Sequence, residues 1–428
     1  MQNFALWSLL VLATCDAAFA TSGFAPQRRL GYRTGDQWEP AIAADTHGHV
    51  YVLYPQYGIV GDCAACKPPV MSLMVSDNNG VAWRPSRPIL PFPSGQFDPQ
   101  ILVDPADHQT VYASWLQNDK RDVVIARSLD FGQTWSFSYA ERSDEDTDKP
   151  VLAVRGPNVY VGFNHDETFF VAASHDAGQT FRLVDINAGF GPGSSLGGGA
   201  AVDPAGNVYF GWTGYASHAM PSQPVGIYVS RSLDGGRTWS TLLLDQSSAP
   251  PECEAEQCEN GFLGAQIALA SDADGALYAL WNAGSANGGP ERIYFSSSTS
   301  NGATWSARTG VSLAAPGVEH AFPAVVAGTS GDVRIAWMDA RAPEAGHPDR
   351  PLWNTHYRSS TNGGASWSAE SRLSNPVPGY GYILQNGFRF PFGDYFGLAI
   401  DGDGKTHAVW GAGRNYKSPG SIWYTRGQ

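Results

Sequence analysis

One eight-residue pattern recurs along the chain and restricts what it can fold into. At Ser232–Trp239 it reads S-x-D-x-G-x-T-W, and the spacing returns at Ser128-x-Asp130-x-Gly132-x-Thr134-Trp135 and at Ser174-x-Asp176-x-Gly178-x-Thr180-Phe181. Looser copies end at Trp83, Trp305 and Trp367, with Asn78, Ser300 and Asn362 in the Asp place. Each position suits a tight β-hairpin turn. The Asp side chain accepts hydrogen bonds from turn N–H groups, and the Gly supplies positive φ. The Thr opens the outgoing strand, and the Trp gives that strand a large apolar face for a neighbouring layer.

The six copies, with their glycines roughly 46 to 66 residues apart, resemble the Asp-box (BNR) repeat of sialidases and related β-propellers. That spacing fits a four-stranded blade with its loops. Before each copy lie two short apolar runs, such as Phe97–Asp104 and Val111–Trp115 in the second unit. A seventh unit, Asp394–Asp401 and Thr406–Trp410, ends at Ile422–Arg426 without a copy. Residues 27–34 are expected to supply its outer strand, since an unpaired blade edge is a liability. The expectation is an all-β propeller of seven four-stranded blades closed by an N-terminal strand, with the six-bladed sialidase fold as the alternative.

Residues 1–20 read as an export signal, with an apolar run around Leu9–Leu12 and Ala18-Phe19-Ala20 at the cleavage point. Residues 21–428 then form one propeller domain, secreted or periplasmic. Leu12-Ala13-Thr14-Cys15 leaves open a lipoprotein anchored at Cys15. No later stretch is apolar enough to span a membrane. A net charge of −13 argues against nucleic acid or an anionic membrane as partner. Of the remaining cysteines, Cys63 with Cys66 and Cys253 with Cys258 form close pairs, which export directs toward disulfides within each loop, with a cross-link between the loops or a zinc site from the four as alternatives.

In a propeller the repeated turns face away from the mouth, where the inner strands begin and the second strands end. The long segments 55–69, 213–224, 246–263, 282–291, 339–352 and 374–393 all fall at that mouth, so they are expected to make the binding site. Inner-strand starts bring Glu39, Asp98, Asp148, Gln266, Phe322 and Asp394 to the channel. Strand-two ends add Tyr57, Trp115, Asn118, His165, Asn282, Asp339 and Arg341.

The seventh unit, Asp394-Tyr395-Phe396-Gly397-Leu398 with Asp401-Gly402-Asp403-Gly404 and Trp410, looks like the last blade of sialidases. There a Tyr, partnered by a Glu, is the nucleophile, and a neutral phenol suits attack beside a substrate carboxylate. The resemblance makes Tyr395 the candidate nucleophile, with Asp394, Asp98 and Glu39 as the acids of the chemistry. The family's arginine triad transfers poorly. Its F/Y-R-I-P place is Trp38-Glu39-Pro40-Ala41 here, and an anionic sugar would need Arg33, Arg121, Arg341 or Arg389 to turn inward. The acids Glu39, Asp98, Asp148 and Asp394 also admit a Ca²⁺ site or an acid–base pair acting on a neutral sugar, with no metal otherwise called for. Tyr57, Trp115, Tyr215, Trp353 and Tyr380 would suit stacking on sugar rings, and a place between blades is equally open to Trp115.

Two functions stay open. One is a sialidase-like glycoside hydrolase acting on extracellular glycans, binding them through Arg341, Arg389, Arg121, Asp339, Asp148, Trp115 and Asn118. The other is a non-catalytic, monomeric propeller that binds a glycan or protein.

Overall fold

The computed structural model describes residues 23–61, 63–165, 168–188, 195–215, 224–251, 264–378, 393, 395–414 and 418–427. Residues 1–20, expected to be an export signal, and Cys15, Cys253, Cys258, Tyr380, Arg389 and Asp394 lie outside the described residues. Seven antiparallel sheets stand in a ring, each packed on the next, with no helix among the described residues. From the channel outward, blade two runs Phe97–Val103, Val111–Gln117, Asp122–Ser128 and Ser136–Arg142. The others repeat this meander, with inner strands at Ala41–Ala44, Thr147–Arg155, Ser195–Val202, Ile267–Ser271, Glu319–Ala327 and Gly397–Ile400. Blade seven takes its outer strand from Arg28–Arg29, which pairs with Tyr424 and Trp423. The seven-bladed expectation therefore holds, and the N-terminal segment closes the ring. Among the described residues no helix is long and apolar enough to cross a membrane.

The repeated turns are closed by their own polar side chains. The Ser232 hydroxyl accepts the Gly236 N–H at 2.8 Å and donates to Asp234 Oδ1 at 2.8 Å. Asp234 in turn accepts the Thr238 N–H at 2.9 Å and the Thr238 hydroxyl at 2.6 Å. Gly236 has φ +82°, and a Cβ there would press on Tyr160 of the preceding blade. Asp130 and Asp176 are held the same way. These bonds stabilise the ionised form, holding the Asp130 carboxyl down at about 2.

A second repeat supports the first. At the end of the inner strand, Asp45 accepts the His47 and His49 N–H groups on Oδ1 and the Tyr51 hydroxyl on Oδ2 at 2.9 Å. Asp203 with Tyr209 and Asp272 with Tyr278 repeat the contact. The anchored tyrosine rings then face glycines of the next blade's turn, Tyr51 against Gly132 and Tyr209 against Gly302. Side chains of adjacent blades fill the spaces between sheets, as where Tyr51, Leu53 and Leu73 meet Ile101, Ala113 and Trp115.

One mouth segment differs from its expectation. Residues 339–352 are the tip of a long β-hairpin, Val333–Glu344 against His347–Ser360, extended by Val377–Pro378. The turn at Gly346, φ +80°, lets the two strands continue past the blade body.

Candidate functional site

The inner strands of the first, second, third and sixth blades each open on a residue of positive φ followed by proline. These are Glu39 (51°), Asp98 (55°), Lys149 (50°) and Phe322 (57°). In blades two, three and six the ladder slips at this step, for instance from Phe97↔Leu116 to Gln100↔Ser114, leaving a bulge. A bulge re-aims side chains, and proline removes an N–H on an edge that has no neighbouring strand to receive it. Gly197, Gln266 and Tyr395 hold the same step in blades four, five and seven. In blade four Gly199 is obligatory, because a Cβ would lie 2.3 Å from the Leu269 backbone nitrogen.

Apart from Phe322, which was expected at the channel but is buried in the core against Trp353, these residues surround a cavity of about 630 Å³ on the channel axis, lined also by Tyr57, Lys120, Asp148, Thr213 and Tyr215. Its charged groups gather on the side of blades seven, one, two and three. The Tyr395 hydroxyl donates to Asp98 Oδ1 at 3.3 Å. Lys149 holds Nζ 5.0 Å from the centre of the Tyr395 ring. Lys120 Nζ lies 3.1 Å from Asp148 Oδ1 and 5.9 Å from the centre of the Phe97 ring. Tyr57 stacks on the buried Trp38 at 4.1 Å. Gly393 approaches Glu39 so closely that a Cβ would meet Glu39 Cγ at 2.4 Å.

The environment separates the acids. Burial, reinforced by Asp98, pushes the Glu39 carboxyl up to about 8, so it carries a proton at neutral pH. Burial and the nearby Asp148 raise Asp98. Asp148 moves the other way: desolvation pulls it up, but Lys120 and Lys149 outweigh that and keep it ionised. Burial, then Asp98 and Glu39, hold the Tyr395 phenol well above its ordinary range. The arrangement offers a proton donor, a carboxylate, a phenol with a carboxyl partner and two ammonium groups around one cavity. Such divergent titration is the pattern of acid–base sites.

The sequence-derived candidates divide clearly. Glu39, Asp98, Asp148 and Tyr395 meet at the cavity, although Asp148 stands one residue before the ring step, which Lys149 holds. Trp115 does not reach the cavity; it is buried between blades one and two, its Nε1 donating to Gln117 Oε1 at 3.3 Å. Trp353 is likewise buried, in the core around Phe322. Asn118 and Arg121 are exposed on the second-to-third strand turn of blade two, outside the cavity lining.

Arg341 and Asp339 lie away from the cavity, in a cluster within blade six. Arg341 Nε and Nη2 donate to the two Asp339 oxygens at 2.8 Å each, and Nη2 meets Glu370 Oε1 at 2.5 Å. His356 stands 3.2 Å from both Asp339 and Glu370.

Cys63 and Cys66 are joined by a disulfide. No group of three or more His, Cys, Asp or Glu that could hold a metal ion occurs among the described residues. Sequence reasoning missed Lys120 and Lys149. Lys149 had a signal, since it precedes proline as Glu39 and Asp98 do.

The architecture is that of a seven-bladed β-propeller. No protein family and no curated protein matches the chain. Among solved structures it is similar to a protein of unknown function from Dyadobacter fermentans, at 13% identity and a TM-score of 0.51, over 94% of this chain and 98% of that one. It is also similar to the Hadza microbial sialidase, at 14% identity and a TM-score of 0.46, over 92% of this chain and 66% of that one. A third is an ulvan lyase described as a new family of polysaccharide lyase, at 12% identity and 0.47, over 90% and 93%. The first of these likenesses speaks to fold alone.

Proposed function

We propose that the protein is an exported Asp-box propeller of sialidase type that hydrolyses glycosidic bonds at the channel mouth. The observation that carries this reading is the Tyr395–Asp98 hydrogen bond beside Glu39, whose carboxyl is held protonated. The Tyr395 oxygen attacks the anomeric carbon while its proton passes to Asp98. Glu39 gives its proton to the departing glycosidic oxygen as the C–O bond breaks. Water then displaces the tyrosyl oxygen: one water proton goes to the Glu39 carboxylate, and Asp98 returns the phenolic proton. The configuration is retained.

Asp148 and the lysines contact the sugar, and no arginine lines the cavity among the described residues. A neutral glycone therefore suits the site better than a sialoside. The Cys63–Cys66 disulfide accords with a secreted or periplasmic location.

The test is a panel of 4-methylumbelliferyl glycosides, neutral and sialylated, with wild type, Tyr395→Phe and Glu39→Gln. Mass spectrometry after incubation with 2-fluoro glycosides should find a glycosyl adduct on Tyr395. Absence of turnover across the panel, or an adduct on another residue, would remove the assignment.

A further inference from the structure

The turn joining the second and third strands of blade two contains three consecutive left-handed residues, none of them glycine. Asn118, Asp119 and Lys120 have φ of 56°, 54° and 67°. Left-handed backbone costs about 1–2 kcal/mol per non-glycine residue, and persists where the surroundings impose it. Here they do. The Ser94 hydroxyl accepts the Asp119 N–H at 3.1 Å, and the Arg121 N–H donates to Gln117 O at 3.1 Å. The Lys120 carbonyl accepts the Thr147 N–H at 2.8 Å and the Thr147 hydroxyl as well.

The outcome is a lysine whose main chain is bonded to blade three and whose ammonium is turned into the cavity beside Asp148. The pair is not sealed: the two side chains remain 39% and 37% exposed. An ordinary surface ion pair contributes little to stability. Asn118 and Asp119 tolerate this region, but Lys120 does not favour it, and holding a lysine there for such a pair is out of proportion to that gain. The geometry fits recognition better, because an ammonium is donor-only and an ionised carboxylate acceptor-only. Side by side they match two neighbouring hydroxyls, one used as acceptor and the other as donor.

We infer that Lys120 is a specificity-determining residue that, together with Asp148, grips a vicinal diol of the sugar bound at the mouth. This rests on the glycoside hydrolase reading for its kinetics, while its binding arm stands apart from catalysis. The ligand class is a glycan whose terminal residue carries two free adjacent hydroxyls.

The experiment compares wild type, Lys120→Met and Lys120→Arg in two ways. The first is kcat and KM on whichever 4-methylumbelliferyl glycoside of the panel is turned over best. The second is binding of labelled protein to a printed glycan array, before and after periodate oxidation, which cleaves vicinal diols. Lys120→Met should raise KM about ten- to a hundredfold with kcat little changed, and should lower array binding as far as periodate does for wild type. Lys120→Arg keeps the charge and should fall between, and it serves as the probe if Lys120→Met does not fold.

Unchanged KM and array binding in a folded Lys120→Met, or wild-type binding that survives periodate, overturns the inference and leaves the hydrolase reading intact. Array binding that depends on Lys120 and on intact diols, without turnover of any glycoside, sinks the hydrolase reading and supports this one. A wild type that neither binds nor turns over overturns both.

Discussion

Lys149 carries its ammonium 5.0 Å from the centre of the Tyr395 ring, and the two residues occupy the same step of different blades. A cation over an aromatic face is attracted to its π electrons, and it also lowers the cost of negative charge developing on the phenolic oxygen. Tyr395 is thus placed between an ammonium and the carboxyl of Asp98.

Replacing Tyr395 with Phe keeps the ring that lines the channel and deletes the attacking oxygen. Turnover should fall by about a thousandfold or more, with the melting temperature close to that of wild type. Steady-state kinetics and a thermal melt on the same preparations check this.

Glu39 must be protonated to serve as the acid, and its carboxyl titrates at about 8. The rate should therefore be sustained below that pH and decline as pH rises through it. Glu39→Gln should lose this alkaline limb along with most of its activity on substrates with poor leaving groups. A pH–rate profile of kcat, wild type against variant, measures it.

Glu291 offers a stability test away from the mouth cavity. It is fully buried, its carboxyl bonded to the Ser247 hydroxyl at 3.2 Å and to Asn282, and burial raises it to about 8. A carboxyl raised in the folded state binds more protons there than in the unfolded chain. Stability should thus fall between about pH 4.5 and 8, by up to about 1.4 kcal/mol per unit from this group. Glu291→Gln should flatten that slope in urea melts taken across the range.

Ser232 tests the repeated turn. Its buried hydroxyl serves Gly236 and Asp234, so Ser232→Ala strands the Gly236 N–H and should cost about 1–3 kcal/mol. The equivalent Ser128→Ala should behave alike, and equilibrium unfolding of both reads the effect.

Asp339 is fully buried and faces Arg341, His356 and the Trp337 N–H. Asp339→Ala leaves the buried His356, and the Arg341 guanidinium at the cluster's exposed edge, short of their partner and should destabilise by about 3 kcal/mol. Denaturant titration at neutral pH gives the value.

The propeller was readable in the chain because its turns depend on side chains that close them: a Ser, an Asp and a Gly at set spacing need no tertiary information. Part of the ring around the cavity was readable to within one position; Phe322 was not, because its side chain packs into the core against Trp353. Asp148 was expected where Lys149 holds the step, because a bulge adds a residue that alternation does not reveal. Counting six residues back from Asp45, Asp104, Asp272 and Asp401 would have found Glu39, Asp98, Gln266 and Tyr395.

Lys120 was beyond such reasoning. A left-handed run of Asn, Asp and Lys has no glycine to announce it and exists because Ser94 and Thr147 impose it. Trp353 failed as a surface candidate, and Trp115 took the between-blade place left open to it, for the converse reason: an apolar ring beside a mouth segment packs between sheets wherever a sheet is there to receive it.

The pairing of Arg28–Arg29 with Trp423 and Tyr424 makes the last blade a latch that neither terminus can fasten alone. Blades one to six can each assemble from contiguous chain, but this one waits for segments almost a whole sequence apart. Shutting it carries the largest loop-closure cost in the molecule, so the wheel should spring first at this seam under heat or pull. A crosslink between the two segments should slow unfolding more than one placed within any other sheet.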